Sequence, residues 1–318
     1  MSSEHPVMSL IVLMKAKFSI ATIVICLFIP LVSSASDFKR TTTSHFAFYF
    51  HAGDERLAGS LIDRAEGMRR EIVEDLGFDF KGLTQVYIAP SPRKYQEIQP
   101  GGWVPSWSAG VAYPSLNLII LKSPRAIKRG HIDLEKVFRH ELTHIAVGRA
   151  FEGREEVPRW LDEGLAMYES REWNFSRVSA ITRAVLTDSL IPLSEITDRF
   201  PHEVTRAELA YVQSFYLVSF LMSKYGKDKF HQFIREYGSG TGLEEVLVRV
   251  YSFRRDELEE RWKDYLKLRF SWIPIITSTT TLWFLVTIVF ILGYVRKRKA
   301  KRQIFEQWQR EDDDLRAD

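Results

Sequence analysis

Two histidines and a glutamate stand within one helical turn, in the run His140-Glu141-Leu142-Thr143-His144. A spacing of four residues puts both imidazoles on the same face of a helix, where both can reach one metal ion. Glu141 lies about 100° around the helix from His140, so its carboxylate can lean over a water bound to that metal. A carboxylate so placed can act as a general base.

A further carboxylate follows in residues 158–166, which read PRWLDEGLA. Catalytic zinc sites use three protein ligands and leave one position open for water or substrate. Glu163 can supply the third ligand if Pro158 begins a second helix that packs against the first. Gly164 beside it permits close approach of two backbones. The sequence therefore predicts a metal site formed by His140, His144 and Glu163, although Glu163 taken alone would be a solvated helix acid.

The composition limits the chemistry that the chain can carry out. It has 318 residues and a single cysteine, Cys26, so neither an internal disulfide nor a thiolate metal site is expected. Its 44 Lys and Arg nearly balance its 41 Asp and Glu, and this balance gives no reason to expect nucleic acid as a partner. A metal would therefore be held by imidazole and carboxylate groups.

The predicted strands precede most of the predicted helices. Alternation and β-branched or aromatic content predict strands over 45–51, 84–89 and 108–122, the last interrupted at Pro114. The prolines at 90 and 92 predict a turn after the second of these strands. Apolar residues at helical spacing predict helices over 54–75, 132–150, 158–170, 174–188, 204–224, 227–238 and 254–270. Strands followed by helices indicate an α+β fold.

The first 36 residues are predicted to be a secretory signal peptide. Two lysines precede an apolar core within 15–36, and the core gives way to small residues. Met14 could be the true start, and an uncleaved signal anchor is the alternative. Under both interpretations residues 37–270 form a domain outside the cytoplasm.

Residues 273–295 carry no charge and are long enough to cross a bilayer as one transmembrane helix. Trp272 and Tyr294 stand at the two ends, where aromatic rings favour the membrane interface. The basic run RKRKAKR over 296–302 follows, and the positive-inside rule places residues 296–318 in the cytoplasm as a tail. A buried core helix is the alternative, but it would not require a basic flank.

With both motifs in place, the sequence resembles the gluzincin metallopeptidases. HELTH, 18 intervening residues and then Glu within WLDEGLA are similar to the thermolysin-like catalytic domains of the aminopeptidase branch and to their peptidase MA-like relatives. The resemblance covers about 40–270. It implies a zincin domain with an N-terminal mixed sheet and a C-terminal helical part, a bound zinc ion (Zn²⁺), and Glu141 as base and proton shuttle.

The resemblance also implies two further parts of the site. Tyr211 matches a tyrosine that the family places near the start of a long helix to stabilise the oxyanion, and Tyr216 remains a rival. The strand that aligns substrates through main-chain hydrogen bonds matches Ala109, Gly110, Val111 and Ala112.

This strand departs from the aminopeptidases of the family. They carry an acidic residue in a Gly-Ala-Met-Glu-Asn motif that binds the free amine of the substrate, whereas residues 106–121 contain neither Asp nor Glu. Endopeptidase action or another amide substrate is therefore favoured over aminopeptidase action.

The sequence predicts a membrane-anchored zinc metallopeptidase that hydrolyses peptide bonds outside the cytoplasm, with Glu141 as general base on zinc-bound water. Its expected partners are a peptide or protein substrate and the lipid bilayer, and no nucleic acid. Two alternatives stay open. One is a catalytically silent, membrane-anchored binding or scaffold protein on the same fold, and the other is a zinc hydrolase of a non-peptide amide.

Overall fold

The computed structural model describes residues 38–101, 108–127, 132–154, 156–171, 175–270 and 279–317. Its strands are β1 (Phe38–Thr42), β2 (Phe46–His51), β3 (Thr84–Ala89), β4 (Gly110–Tyr113) and β5 (Leu118–Lys122). Its helices are α1 (Glu55–Leu76), α2 (Pro92–Glu97), α3 (Leu134–Ala150), α4 (Arg159–Glu169), α5 (Phe175–Leu186), α6 (Glu195–Asp198), α7 (Val204–Tyr225), α8 (Lys227–Gly238), α9 (Leu243–Tyr251), α10 (Arg255–Phe270) and α11 (Thr279–Ala317). The predicted signal peptide, residues 1–36, lies outside the described residues.

The five strands form one mixed sheet in the order β1-β2-β3-β5-β4. Strands β2, β3 and β5 are parallel, and the two edge strands β1 and β4 each run antiparallel to their neighbour. This arrangement leaves the outer side of β4 without a partner among the described strands. An edge of this kind presents free N–H and C=O groups to an extended segment.

One face of the sheet packs against α3. Phe46 and Phe48 share one face of β2, and both rings lie within 6.0 Å of the ring of Phe138 on α3. All three side chains are fully buried. Helix α3 begins at a capped end, because the side chain of Asp133 accepts a hydrogen bond from the backbone N–H of Lys136. The sheet therefore fixes the helix that carries the His-Glu-Leu-Thr-His run.

Helices α4 and α7 pack closely because α4 carries a glycine at their contact. A Cβ placed on Gly164 would lie 2.5 Å from the carbonyl oxygen of Ser214 on α7. A side chain larger than hydrogen at this position would push the two helices apart. The expectation that Gly164 permits a close backbone approach is therefore confirmed.

The strands and helices predicted within residues 37–270 all occur, with ends within two residues of the predicted ones. The mixed sheet followed by a mostly helical part confirms the α+β class. Four elements were missed: β1, α2, α6 and α9. In α2 the proline signals at 90 and 92 suggested only a turn, but Ser91 accepts a hydrogen bond from Lys94 and Pro92 occupies the first turn of a helix. Strand β1 reads FKRTT and has no apolar alternation to reveal it.

The last helix, α11, contains a segment that could cross a membrane by length and composition. Within Thr279–Arg302, which has 24 residues, an 18-residue window reaches a mean hydropathy of 1.6, and none of that window is buried. Of the predicted span 273–295, residues 273–278 lie outside the described residues and the remainder is helical. The helix continues through the basic run to Ala317.

Candidate active site

The two histidines lie side by side on one face of α3. Their ring centroids are 4.9 Å apart and the rings are inclined by 74°. The opposite face of the helix is anchored in the core by Phe138, Leu142 and Ile145, which are fully buried. The helix period therefore turns both imidazoles away from the core and towards α4.

Glu163 on α4 completes a cluster with the two histidines. Its Oε2 atom lies 3.7 Å from Nε2 of His140 and 3.7 Å from Nε2 of His144. One potential ligand atom from each of the three residues lies within 4.8 Å of the others. Ligands bound to zinc at about 2.0–2.1 Å in a tetrahedron are about 3.4 Å apart. The donor set of two imidazole nitrogens and one carboxylate oxygen fits a zinc ion with little rearrangement.

Asp162 orients one of the histidines. Nδ1 of His144 donates to Oδ1 of Asp162 across 2.7 Å, which leaves Nε2 as the ring nitrogen that faces Glu163. Hydrogen bonds of this kind fix the orientation of metal-binding imidazoles. Burial lowers the pKa of His144, but the charges of Asp162, Glu163 and Glu141 outweigh it and raise that pKa to about 10. Binding of a metal at Nε2 would therefore release a proton.

Glu141 lies beside the cluster and against the edge strand. Its side chain is buried, with the residue only 8% exposed, and this burial raises the pKa of its carboxyl above the usual range, although the neighbouring histidines oppose the shift. A Cβ placed on Gly110 of β4 would lie 2.8 Å from Oε1 of Glu141. Because Gly110 has no side chain, the carboxylate of Glu141 has room between α3 and β4.

A cleft of about 620 Å³ opens over these groups. One wall is formed by Gly110, Val111 and Ala112 of β4, and the remaining predicted substrate-binding residue, Ala109, lines an adjoining pocket of about 290 Å³. His140, His144, Glu141 and Glu163 lie along the cleft as well. The structure therefore brings every predicted substrate-binding and metal-binding residue to one cleft or its side pocket.

The two tyrosines considered for the oxyanion occupy different environments. Tyr211 lines the cleft, and its ring packs edge-to-face on Phe200 at 4.8 Å. Burial raises the pKa of Tyr211, so its phenol stays protonated. Tyr216 is 1% exposed and packs on Phe270 at 5.0 Å, and it does not line the cleft. Of the two tyrosines, Tyr211 is the one at the site.

Two charged residues of the cleft were missed by sequence reasoning, Arg159 and Asp162. Nη2 of Arg159 lies 2.6 Å from Oε1 of Glu163. The four-residue spacing of Arg159 and Glu163 on one helix was a signal that could have revealed this pair. Nothing local could have revealed Asp162, because its bond to His144 depends on how α4 packs against α3.

The fold and this cluster define a zincin-type metallopeptidase domain, and comparison with known families agrees. The model of the Peptidase MA superfamily matches residues 55–268, more than half of the chain. The chain belongs to the Peptidase MA superfamily, and the resemblance seen in its motifs is confirmed.

Solved structures of zinc peptidases are similar at low identity. Leukotriene A4 hydrolase from Saccharomyces cerevisiae is 18% identical with a TM-score of 0.42, over 70% of this chain and 38% of that one. An M1 zinc metallopeptidase from Deinococcus radiodurans is 17% identical with a TM-score of 0.40, over 71% of this chain and 51% of that one. The chain thus spans about half of these structures or less. None of the curated proteins matches the sequence.

Proposed function

We propose that this chain is a membrane-anchored zinc metallopeptidase that hydrolyses peptide bonds outside the cytoplasm. The observation that carries the proposal is the convergence of donor atoms from His140, His144 and Glu163 within 4.8 Å, at a cleft that also contains a buried carboxylate. Three protein ligands beside an open cleft are the arrangement of catalytic zinc sites, whereas structural sites are closed by a fourth ligand. The domain is proposed to be thermolysin-like in its arrangement.

His140, His144 and Glu163 would hold the zinc ion. Glu141 would transfer protons, and Tyr211 would stabilise developing charge. When bound, zinc would polarise a scissile carbonyl and lower the pKa of water at the site. Glu141 would take a proton from the attacking water and deliver it to the leaving amine. Burial shifts the pKa of Glu141 upwards, in the direction that a general base working near neutral pH requires. The neutral phenol of Tyr211 would donate a hydrogen bond to the developing oxyanion.

The edge strand β4 would hold the substrate. An extended peptide can add to an open sheet edge through main-chain hydrogen bonds, and β4 lies directly beside Glu141. Because residues 106–121 offer no carboxylate to bind a free amine, the proposal favours cleavage within a chain over removal of its first residue.

The membrane arrangement rests on the signal-like N-terminal segment and on the uncharged part of α11 with its basic flank. Residues 37–270 would lie outside the cytoplasm and residues 296–318 inside. Protease added to intact cells that carry a C-terminal epitope tests this topology. We expect the domain to be digested and the epitope to be protected. Cleavage of the epitope with an intact domain would reverse the assignment.

The metal site is tested on the full chain purified in detergent. We expect about one zinc per chain by elemental analysis, as a site with three protein ligands requires. His140→Ala, His144→Ala and Glu163→Ala should each lose most of it, while His202→Ala, at an exposed histidine, should retain it. A zinc content in Glu163→Ala equal to that of the parent would show that Glu163 is not a ligand.

The reaction is tested by digestion of an unbiased peptide library with the same preparation. Cleavage within peptides that disappears in Glu141→Gln is the expected result. Zinc binding with no cleavage of any peptide would favour the non-peptide amide alternative or the scaffold alternative.

A further inference from the structure

Arg159 stands one helical turn before Glu163, and its guanidinium contacts a carboxylate oxygen of that residue. Nη2 of Arg159 lies 2.6 Å from Oε1, whereas Oε2 lies 3.7 Å from Nε2 of both histidines. The two oxygens of Glu163 therefore face different partners. One is turned towards the cluster and the other is held by the guanidinium.

The same guanidinium reaches a second element of the site. Burial raises the pKa of Tyr211 on α7, and the nearby charge of Arg159 opposes that rise. A guanidinium has donors and no acceptor, so a phenol beside it turns its oxygen towards the guanidinium and its O–H hydrogen elsewhere. Tyr211 lines the cleft. Arg159 thus leaves the phenol as a donor available to a group in the cleft.

Phe200 packs on both partners. Its ring lies 4.8 Å from that of Tyr211, at an interplanar angle of 89°, and its centroid is 5.8 Å from the guanidinium carbon of Arg159. Edge-to-face and cation–π contacts of this kind restrict both side chains. Arg159 and Tyr211 are therefore both held from the side by a third residue.

An ordinary surface pair would look different. Ion pairs four residues apart on an exposed helix contribute little, because water screens both groups. Here Glu163 is 4% exposed, although the Arg159 side chain is 46% exposed. The guanidinium also lies close to Tyr211 on another helix. A contact that joins a buried carboxylate to a second functional group fixes geometry more than a surface pair does.

We propose that Arg159 is a positioning residue of this site, and this proposal rests on the proposed function. It holds Glu163 through Oε1, so that Oε2 alone is presented to a metal. It also holds Tyr211 with its O–H hydrogen directed into the cleft. Arg159 therefore acts through Glu163 and Tyr211, not on the substrate.

The first test measures zinc affinity by competition with a chromogenic chelator on the full chain in detergent. We expect Arg159→Ala to bind zinc about 10- to 100-fold more weakly, as loss of an outer partner of a ligand does. Arg159→Lys should be intermediate, because one ammonium cannot reproduce the planar fork that contacts two groups. Arg93→Ala, at an exposed arginine paired with Glu97, should bind as the parent does. Parent-like affinity in both Arg159 variants would overturn the proposal.

The second test is a double-mutant cycle at saturating zinc. Arg159→Lys should lower kcat with little change in KM, and Arg159→Lys combined with Tyr211→Phe should be no slower than Tyr211→Phe alone, within about threefold. If the losses in kcat of the two single variants multiply in the double variant, Arg159 does not act through Tyr211. That result would overturn this half of the proposal. A parent that binds zinc but cleaves no peptide contradicts the proposed function alone, because the affinity ratios still test Arg159. A parent that binds no zinc contradicts both.

Discussion

The two walls of the cleft are built in different ways. One helix, α3, supplies His140, Glu141 and His144 within five consecutive residues, so the period of the helix sets their mutual geometry. The facing wall takes Glu163 from α4 and Tyr211 from α7, and these two residues meet because two helices pack together. The first wall depends on local geometry. The second depends on tertiary contacts, and Gly164 marks one of these.

This difference predicts how each wall responds to substitution. Substitutions of the functional residues on α3 should lower the catalytic activity and leave the fold intact, because the apolar face that anchors the helix is separate from its functional face. Changes on the facing wall should alter metal affinity and stability along with the rate, because the same residues and their neighbours hold α4 on α7. Four substitutions test the contrast, in order of decreasing expected effect.

Glu141→Gln tests the α3 wall. The amide is nearly isosteric with the carboxylate, so zinc content and fold should be retained, while kcat should fall at least about 100-fold as a positioned base is lost. Rates on one peptide substrate and zinc content by elemental analysis measure both effects. Glu135→Gln, on the same helix and paired with Arg64, should keep the parent rate. If Glu141→Gln cleaves as fast as the parent, the site is structural even with zinc bound.

Tyr211→Phe tests the oxyanion donor on α7. Removal of one donor while the metal remains should lower kcat roughly 10- to 1000-fold. Tyr216→Phe is the matched comparison, because Tyr216 lies on the same helix in the core, and it should keep a rate close to that of the parent. A large loss of kcat in Tyr216→Phe, together with a parent-like kcat in Tyr211→Phe, would mean that the oxyanion donor was assigned to the wrong residue.

Asp162→Asn tests the orientation of His144. The amide carries no charge to hold the imidazole through Nδ1, so zinc affinity should fall about 10- to 100-fold. Chelator competition measures the change, and Asp63→Asn on the exposed side of α1 is the control. Unchanged affinity would show that His144 is oriented without Asp162.

Gly164→Ala tests the packing on which the facing wall depends. The added methyl group would meet the backbone carbonyl of Ser214, which cannot move aside easily, and overpacking of this kind costs about 1–3 kcal/mol of unfolding free energy. Gly59→Ala on α1 meets nothing within 4 Å and should not destabilise the protein. Urea unfolding of both variants measures the difference. Equal stability would mean that α4 and α7 adjust without cost.

The sequence was sufficient for the local features and insufficient for those that arise from packing. Helical spacing predicted α3 and its pair of histidines, because neighbouring residues alone determine which face they share. Tyr211 and Tyr216 are about 140° apart around α7, and spacing cannot tell which of those directions faces the cleft. The bond between Asp162 and His144 joins two helices, and no local pattern encodes it. The cap at Ser91 converted an expected turn into α2.

The shortness of strand β4 has a consequence for the physical state of a substrate. Four residues of extended chain measure about 13 Å, and a segment that pairs with them must first be free of its own hydrogen bonds. A folded protein offers such a segment only where it opens locally. If the proposed function is correct, the rate of cleavage would depend on the opening equilibrium of the substrate more than on its amino-acid sequence. Digestion of a stable reporter and of its destabilised variant measures this dependence, and equal rates would contradict it.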